Sequence, residues 1–99
     1  MPKVPALSDA EVASRLADLP TWSLVDGKLH RELTFKNFSE AWAFMARVAL
    51  AAEKVDHHPE WSNVWATVVI DLTTHDAGGI SELDFQLAAK VDALATTAR

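Results

Sequence analysis

The chain has 99 residues, which suits one compact domain spanning residues 1–99, and nearly half of them are apolar. The formal net charge is −5 with acidic and basic residues interspersed, so nucleic-acid binding through phosphates has little support. The sequence contains no cysteine, which excludes disulfides, thiolate metal sites and cysteine nucleophiles.

The N-terminal stretch has no apolar core of the kind that a signal peptide needs. No segment approaches the roughly 18 uninterrupted apolar residues of a membrane span. A cytoplasmic protein without a membrane anchor is therefore the simplest interpretation.

The first third of the chain predicts a helix followed by a β-hairpin. Ser8 and Glu11 have the spacing of a capping box, and apolar residues at helical spacing predict a first helix that stops at Pro20. Two alternating runs then flank Asp26-Gly27, where glycine tolerates the positive φ that a tight turn demands. This pattern predicts an antiparallel hairpin.

A longer helix is predicted from Phe38 onward, with Asn37 and Glu40 as its N-terminal cap. Pro59 disfavours helical geometry at the residue before it, so this helix should end near His57. Its apolar residues cover a broad arc, which predicts burial on more than one side, by a sheet and by another subunit. The residues of that arc are Phe38, Trp42, Phe44, Met45, Val48 and Leu50.

After Pro59 the pattern becomes β-like, because an apolar residue stands at every second position from Val64 to Leu72. The pattern fits either one long strand or two strands joined by a tight turn. A glycine-containing loop follows, and Ser81 with Asp84 predicts the capped start of a last helix. This order of elements indicates an α+β fold, with an antiparallel sheet covered by helices on one face.

The stretch EKVDHHPEW concentrates two of the four histidines where the long helix should stop. Glu53 and His57 are four residues apart, so the carboxylate can orient the ring of His57 from the same helix face. His58 should already be in extended backbone and should point away from His57. If the β segment is a hairpin, His75 returns toward the helix end, and Asp84 is a further orienting acid.

Several interpretations of these residues remain open. Histidine, whose ordinary pKa lies near neutrality, suits general acid–base chemistry when a carboxylate orients it. Histidines with carboxylates could also bind Zn²⁺, although no H-x-x-x-H or H-x-H pair occurs. Each histidine could instead be a structural surface residue, which is our interpretation of His30. Trp61 and Trp65 could belong to the core or could wall a flat pocket beside the histidines.

A longer pattern resembles the signature of the pterin-4a-carbinolamine dehydratases. The pattern is E-x-x-x-H-H-P-x5-W-x9-H-x8-D, and the segments FMARVALAAEKVDHHPEWSNVW, LTTH and GGISELDFQLA are similar to that family as well. The likeness therefore covers nearly the whole chain. The positions that meet the pattern are Glu53, His57, His58, Pro59, Trp65, His75 and Asp84.

The resemblance implies loss of water from 4a-hydroxytetrahydropterin to give quinonoid dihydropterin, without a metal and without an external cofactor. In that family the reaction recycles the pterin cofactor of aromatic amino acid hydroxylases. His57, His58 and His75 are the implied catalytic group, and we expect the first and last to exchange protons while His58 positions the pterin. The residues expected to bind or orient the substrate are Glu53, Pro59, Trp61, Thr74, Asp76, Ala77 and Asp84.

The resemblance also implies a four-stranded antiparallel sheet, and a dimer or tetramer built through sheet edges and a bundle of the long helices. Three alternatives remain. The chain could be a protein-partner module, such as a dimerisation or assembly factor on the same fold. It could be a metal-dependent hydrolase that uses the same histidines, or a dehydratase in another pterin pathway such as molybdopterin-linked metabolism. The complete histidine set favours retained catalysis.

Overall fold

The computed structural model describes residues 4–97. Within that range the elements follow the predicted order α-β-β-α-β-β-α, and the strands form one four-stranded antiparallel sheet. A 3-10 turn, His75–Ala77, precedes the last helix. The helices are α1 (Asp9–Leu16), α2 (Phe38–Val55) and α3 (Glu82–Thr97), and the strands are β1 (Ser23–Val25), β2 (Lys28–Thr34), β3 (Glu60–Val64) and β4 (Thr67–Leu72).

The first helix begins at the predicted capping box but ends earlier than expected. Oγ of Ser8 accepts a hydrogen bond from the backbone N–H of Glu11 at 3.1 Å, and Oε1 of Glu11 accepts one from the N–H of Ser8 at 2.9 Å. The helix ends at Leu16, before Pro20 is reached. The N–H of Leu19 instead donates to the carbonyl of Leu16 in a tighter turn, so the proline is not what stops the helix.

The strand order in the sheet is β1-β2-β4-β3. Asp26 and Gly27 join β1 to β2 with φ values of 51° and 75°, which confirms the predicted hairpin. The later alternating segment is a second hairpin, β3–β4, so it forms two strands instead of one. Its turn holds Trp65 at φ 49°, an uncommon conformation for a bulky residue.

The core lies between one face of the sheet and the helices. Because side chains alternate along a strand, the other set points to the opposite face, which we call the open face; it carries Lys28, His30, Glu60 and Asp71. The largest fully buried apolar side chains come from the strands, α2 and α3 together. They are Leu29, Val68, Ile70, Leu72, Phe44, Val48 and Val91.

The second helix carries large apolar residues beyond those that it buries. Its buried residues face the sheet and α3, whereas four of its large apolar residues remain 50–74% exposed. In residues 4–97, no helix has both the length and the apolar character that crossing a membrane requires. The exposed residues are Phe38, Trp42, Leu50 and Val55.

The C-terminal end of α2 determines where the histidine pair lies. The helix ends at Val55, slightly before the predicted end, and Asp56 closes it in the left-handed conformation with φ 53°. The N–H of Asp56 donates to the carbonyl of Glu53 at 3.2 Å, and that of His57 donates to Ala52 at 3.1 Å. These bonds satisfy carbonyls that the helix leaves unpaired. His57 therefore follows the helix and is not part of its last turn.

Candidate active site

A cleft of about 290 Å³ lies beside the C-terminal end of α2. Because β4 runs antiparallel to β3, the chain returns to this end of the molecule, and the loop before α3 faces the end of α2. The volume is close to the lower limit of small-molecule sites. The cleft is lined by Asp56, His57, His58, Thr73, Thr74, His75, Asp76 and Leu83.

A larger cavity, of about 540 Å³, lies between α2 and α3. Its lining is mainly apolar, with Lys54 and Lys90 as its charged residues, and it includes no histidine or carboxylate. It therefore offers no pair of groups for acid–base chemistry near neutral pH. We place the candidate active site in the smaller cleft for that reason.

The buried carboxylate of Asp84 organises the inner wall of the cleft. Its Oδ1 lies 2.6 Å from Nε2 of His57, while its Oδ2 accepts hydrogen bonds from Oγ1 of Thr74 at 2.7 Å and from the N–H of Ser81 at 2.9 Å. Asp84 is completely buried and His57 is only 8% exposed. A buried carboxylate with this many donors is satisfied, and removing it would take away the hydrogen-bond partner of Nε2 of His57 and of the N–H of Ser81.

The start of α3 explains why Asp84 stands there. Oγ of Ser81 accepts a hydrogen bond from the N–H of Leu83 at 3.2 Å, and Asp84 reaches back to the N–H of Ser81. This arrangement confirms the helix start predicted from Ser81 and Asp84. The acid that caps α3 also binds His57, so a local capping device holds a histidine from a distant part of the chain.

The expected contact between Glu53 and His57 is not formed. Oε1 of Glu53 lies 2.9 Å from Nε2 of His58 instead, and both of these side chains are exposed. The expectation assumed that α2 continues to His57, but the left-handed Asp56 reverses the chain first. The chain reversal brings His58 back over Glu53, and His57 turns inward to Asp84.

His75 has a carboxylate partner that the sequence analysis missed. Its Nε2 lies 2.7 Å from Oε2 of Glu60, and Oε1 of Glu60 lies 2.6 Å from Nζ of Lys28. The hydrogen bond from Lys28, and then that from His75, holds the pKa of the Glu60 carboxyl below its usual value. Glu60 lies within the HHPEW stretch, but nothing in its local spacing indicates a contact with His75.

All three cleft histidines are held through the same ring nitrogen. Nε2 contacts Asp84 in His57, Glu53 in His58 and Glu60 in His75. An ionised carboxylate can only accept hydrogen bonds, so Nε2 of each ring is the nitrogen that carries the proton and donates it. In a neutral ring, Nδ1 is then free to accept a hydrogen bond.

The free ring nitrogen of His57 is accessible from the cleft. In residues 4–97, no buried side-chain N or O atom lacks a hydrogen-bond partner. Nδ1 of His57 has no hydrogen-bond partner within that part of the chain, so it cannot be one of the buried atoms. It is therefore solvent-accessible, although most of the ring is buried. Over the same residues, no group of three or more His, Asp or Glu side chains is arranged to hold a metal ion.

Some residues singled out from the sequence lie outside the cleft lining. Pro59 and Ala77 are next to lining residues in sequence, and Trp61 is partly buried against the core. Trp65 is 67% exposed at the β3–β4 turn, at the opposite end of β3 from Glu60. It is therefore neither a core residue nor a wall of the histidine site.

The fourth histidine, His30, lies on the open face. Its Nδ1 is 2.8 Å from Oδ1 of Asp71, and its Nε2 is 3.2 Å from Oε2 of Glu32. The hydrogen bond to Asp71 is the main reason that the pKa of His30 is raised above its ordinary value. This pair is separate from the cleft lining.

Comparison with known proteins identifies the family. Residues 5–94 match the family model described as pterin 4 alpha carbinolamine dehydratase. The match covers most of the chain, and the chain belongs to this family. The resemblance seen in the sequence is thereby confirmed.

Two relatives show how far the similarity extends. A protein of Solibacter usitatus (strain Ellin6076) is 57% identical over 89 residues, which cover 90% of this chain and 94% of the relative. A protein of Chelativorans sp. (strain BNC1) is 53% identical over 91 residues, which cover 90% and 93%. Both are named pterin-4-alpha-carbinolamine dehydratases by inference.

Two solved structures share the fold. A transcriptional coactivator/pterin dehydratase from Brucella melitensis aligns with a TM-score of 0.87 and 44% identity, covering 91% of this chain and 98% of that one. A pterin dehydratase-like protein identified as a RuBisCO assembly factor in the alpha-carboxysome aligns with a TM-score of 0.63 and 25% identity, covering 75% and 86%. Since these descriptions include non-enzymatic roles, the activity of this chain has to be argued from its site.

Proposed function

We propose that the chain is a dehydratase that removes water from 4a-hydroxytetrahydropterin to give quinonoid dihydropterin, recycling tetrahydropterin in the cytoplasm. The observation that carries this proposal is the convergence of His57, His58 and His75 on one cleft, with a different carboxylate at Nε2 of each ring. Such rings can each exchange a proton at Nδ1. Membership in the family supports a pterin carbinolamine as the substrate class.

The reaction breaks the C–O bond at C4a and forms a C=N bond to the adjacent ring nitrogen. A base takes the proton from that nitrogen, its electron pair forms the new double bond, and hydroxide leaves as water with a proton from an acid. We assign these two proton transfers to His57 and His75, and the positioning of the pterin to His58. General acid–base catalysis of this kind increases the rate by a factor of about 10²–10⁴.

The assignment of proton transfer to His57 is supported by its contact with Asp84. A ring that gains a proton at Nδ1 becomes an imidazolium, and the adjacent buried carboxylate stabilises that charge where water screens it weakly. His58 lies in a more solvated setting, since its side chain is 55% exposed. Its Glu53 partner is exposed as well, but the side chain of His75 is 77% exposed, so exposure does not separate the roles of these two histidines and the kinetics of their variants decide it.

Stopped-flow dehydration of freshly generated 4a-hydroxytetrahydropterin, followed in a chelating buffer, tests the proposal. We expect the wild type to exceed the uncatalysed rate, and His57→Ala and His75→Ala each to lose about 10²-fold or more of the acceleration. His30→Ala is the control, because His30 contacts Asp71 and Glu32 and does not line the cleft. A folded wild type that gives no acceleration would refute the assignment.

The exposed apolar residues of α2 support a second property, which is association with another protein surface. Phe38 and Trp42 stack with ring centroids 6.5 Å apart, and clustered apolar surface marks interaction sites in soluble proteins, so we infer that this surface joins copies of the chain into a dimer or tetramer. Light scattering should show an oligomer, and Trp42→Glu should dissociate it. Glu40→Gln, on the same helix, is the control. A monomeric wild type with an inactive site would favour the alternative of a partner-binding module.

A further inference from the structure

Glu60 joins the side chains of His75 and Lys28 beside the cleft. Its Oε2 accepts a hydrogen bond from Nε2 of His75 at 2.7 Å, and its Oε1 accepts one from Nζ of Lys28 at 2.6 Å. The partners are 15 and 32 residues away in the sequence. One carboxylate therefore connects β2 and β3 to the turn that carries His75.

The strands fix the position of Glu60, whereas little else fixes His75. Glu60 pairs with Asp71 across β3 and β4, and the strand alternation places both on the open face together with Lys28. The side chain of His75 is 77% exposed, so packing contributes little to the orientation of its ring. The hydrogen bond to Glu60 is the contact that can hold the ring in one orientation.

Lys28 keeps Glu60 charged and in place. The hydrogen bond from the Lys28 ammonium is the main reason that the pKa of the Glu60 carboxyl is lowered, and Glu60 in turn raises the pKa of Lys28. Glu60 is therefore a charged acceptor throughout the neutral range, whether or not His75 carries an extra proton. Charge-assisted hydrogen bonds of this type are short and directional.

We propose that Glu60 is a positioning residue for His75, and that Lys28 holds Glu60 in that role. Glu60 binds the ring at Nε2, so that Nδ1 is presented to the reacting atoms of the pterin. Glu60 itself contacts no reacting atom. This inference rests on the proposed dehydratase function, but the orientation of the His75 ring can be measured without any activity.

Side-chain NMR relaxation of the His75 imidazole in the folded protein tests the orientation. Glu60→Met keeps the length of the side chain and removes the acceptor, so the ring order parameter should fall from its wild-type value to below about 0.6, the range of flexible groups. Glu60→Gln keeps an acceptor oxygen without the charge and should largely restore the order. Glu32→Met is the matched control, because Glu32 contacts His30.

Dehydration kinetics test whether this orientation matters for the reaction. We expect Glu60→Met to lower kcat by about 10- to 100-fold with a smaller change in KM, since a misplaced catalytic group slows the chemical step. Lys28→Met should lower kcat by less. In a His75→Ala background, Glu60→Met should cause no further loss, because its effect is transmitted through His75.

Two results would overturn the positioning role. One is a His75 order parameter that stays unchanged in Glu60→Met, and the other is a full additional loss of kcat when Glu60→Met is combined with His75→Ala. A wild type that lacks dehydratase activity, but whose His75 ring becomes mobile in Glu60→Met, would refute the proposed function while supporting the positioning role. The two proposals therefore fail in distinguishable ways.

Discussion

Nε2 of His57 lies 2.6 Å from Oδ1 of Asp84, although 27 positions separate the two residues in the sequence. The same carboxylate accepts hydrogen bonds from Thr74 and from the backbone of Ser81, where it caps α3. The end of α2, the loop after β4 and the start of α3 thus meet at one buried group. Stability and the geometry of the site depend on the same side chain.

Asp84→Asn should lower both the free energy of unfolding and the dehydration rate. The amide of Asn keeps the shape of the carboxylate but replaces one oxygen, which accepts hydrogen bonds, with an NH2 group, which donates them. That NH2 group must then face a donor group of His57, Thr74 or Ser81. An unpaired buried group costs about 1–3 kcal/mol. Urea unfolding followed by circular dichroism measures the first effect, and stopped-flow kinetics should show a loss of at least about 10-fold for the second. Unchanged stability would contradict the network.

Glu53→Gln should have a much smaller effect than Asp84→Asn. Glu53 and His58 are 80% and 55% exposed, and exposed ion pairs contribute little. If His58 positions the pterin, the change should appear mainly in KM, and His58→Ala should do the same more strongly. Steady-state kinetics of both variants separate kcat from KM. A kcat loss in His58→Ala as large as that in His57→Ala, with substrate affinity unchanged, would make His58 a proton-transfer residue.

Asn37→Ala should destabilise the protein without affecting the site. Oδ1 of Asn37 accepts a hydrogen bond from the N–H of Glu40 at 2.9 Å, which caps the end of α2 farthest from the histidines. Loss of such a cap costs about 1 kcal/mol, whereas glycine at the same position costs only a few tenths. Denaturant midpoints of Asn37→Ala and Asn37→Gly should therefore differ, with equal kcat. A large change in kcat would show that the two ends of α2 are coupled.

The His30–Asp71 pair should make stability depend on pH. Its hydrogen bond raises the pKa of His30 above the ordinary value of 6.5, so the charged pair stabilises the folded state fully below about pH 6.5. That contribution is lost as pH rises through the folded-state pKa. Asp71→Asn should cost on the order of 0.5–1 kcal/mol more at about pH 5.5 than at about pH 9, as measured by urea unfolding. Equal losses at both pH values would mean that the pair contributes nothing through the charge on His30.

Removal of metal ions should leave the dehydration rate unchanged. Each cleft histidine contacts its own carboxylate, and the described residues 4–97 hold no three metal-ligating side chains in a suitable arrangement. Dialysis against a strong chelator, followed by the stopped-flow assay, is the measurement. Activity that disappears and returns on addition of Zn²⁺ would favour a metal-dependent enzyme on the same residues.

The local features of this protein could be predicted from the sequence because each depends on residues only a few positions apart. The Ser8–Glu11 box, the Asp26-Gly27 turn and the Ser81 cap are all confirmed. Capping and tight turns are decided by backbone groups within one turn of the residue concerned. The EKVDHHPEW stretch and the possible hairpin after it pointed to the three histidines of the cleft, and the family resemblance implies their catalytic role, which stays a prediction.

Only the tertiary structure decided which carboxylate meets which histidine. The left-handed Asp56 reverses the chain at the end of α2 and so exchanges the expected partner of His57. The register of β3 against β4 brings Glu60 to His75, a contact that no local pattern encodes. Side-chain partners far apart in sequence depend on chain reversals and strand register, which follow from packing of the whole core and not from any short segment.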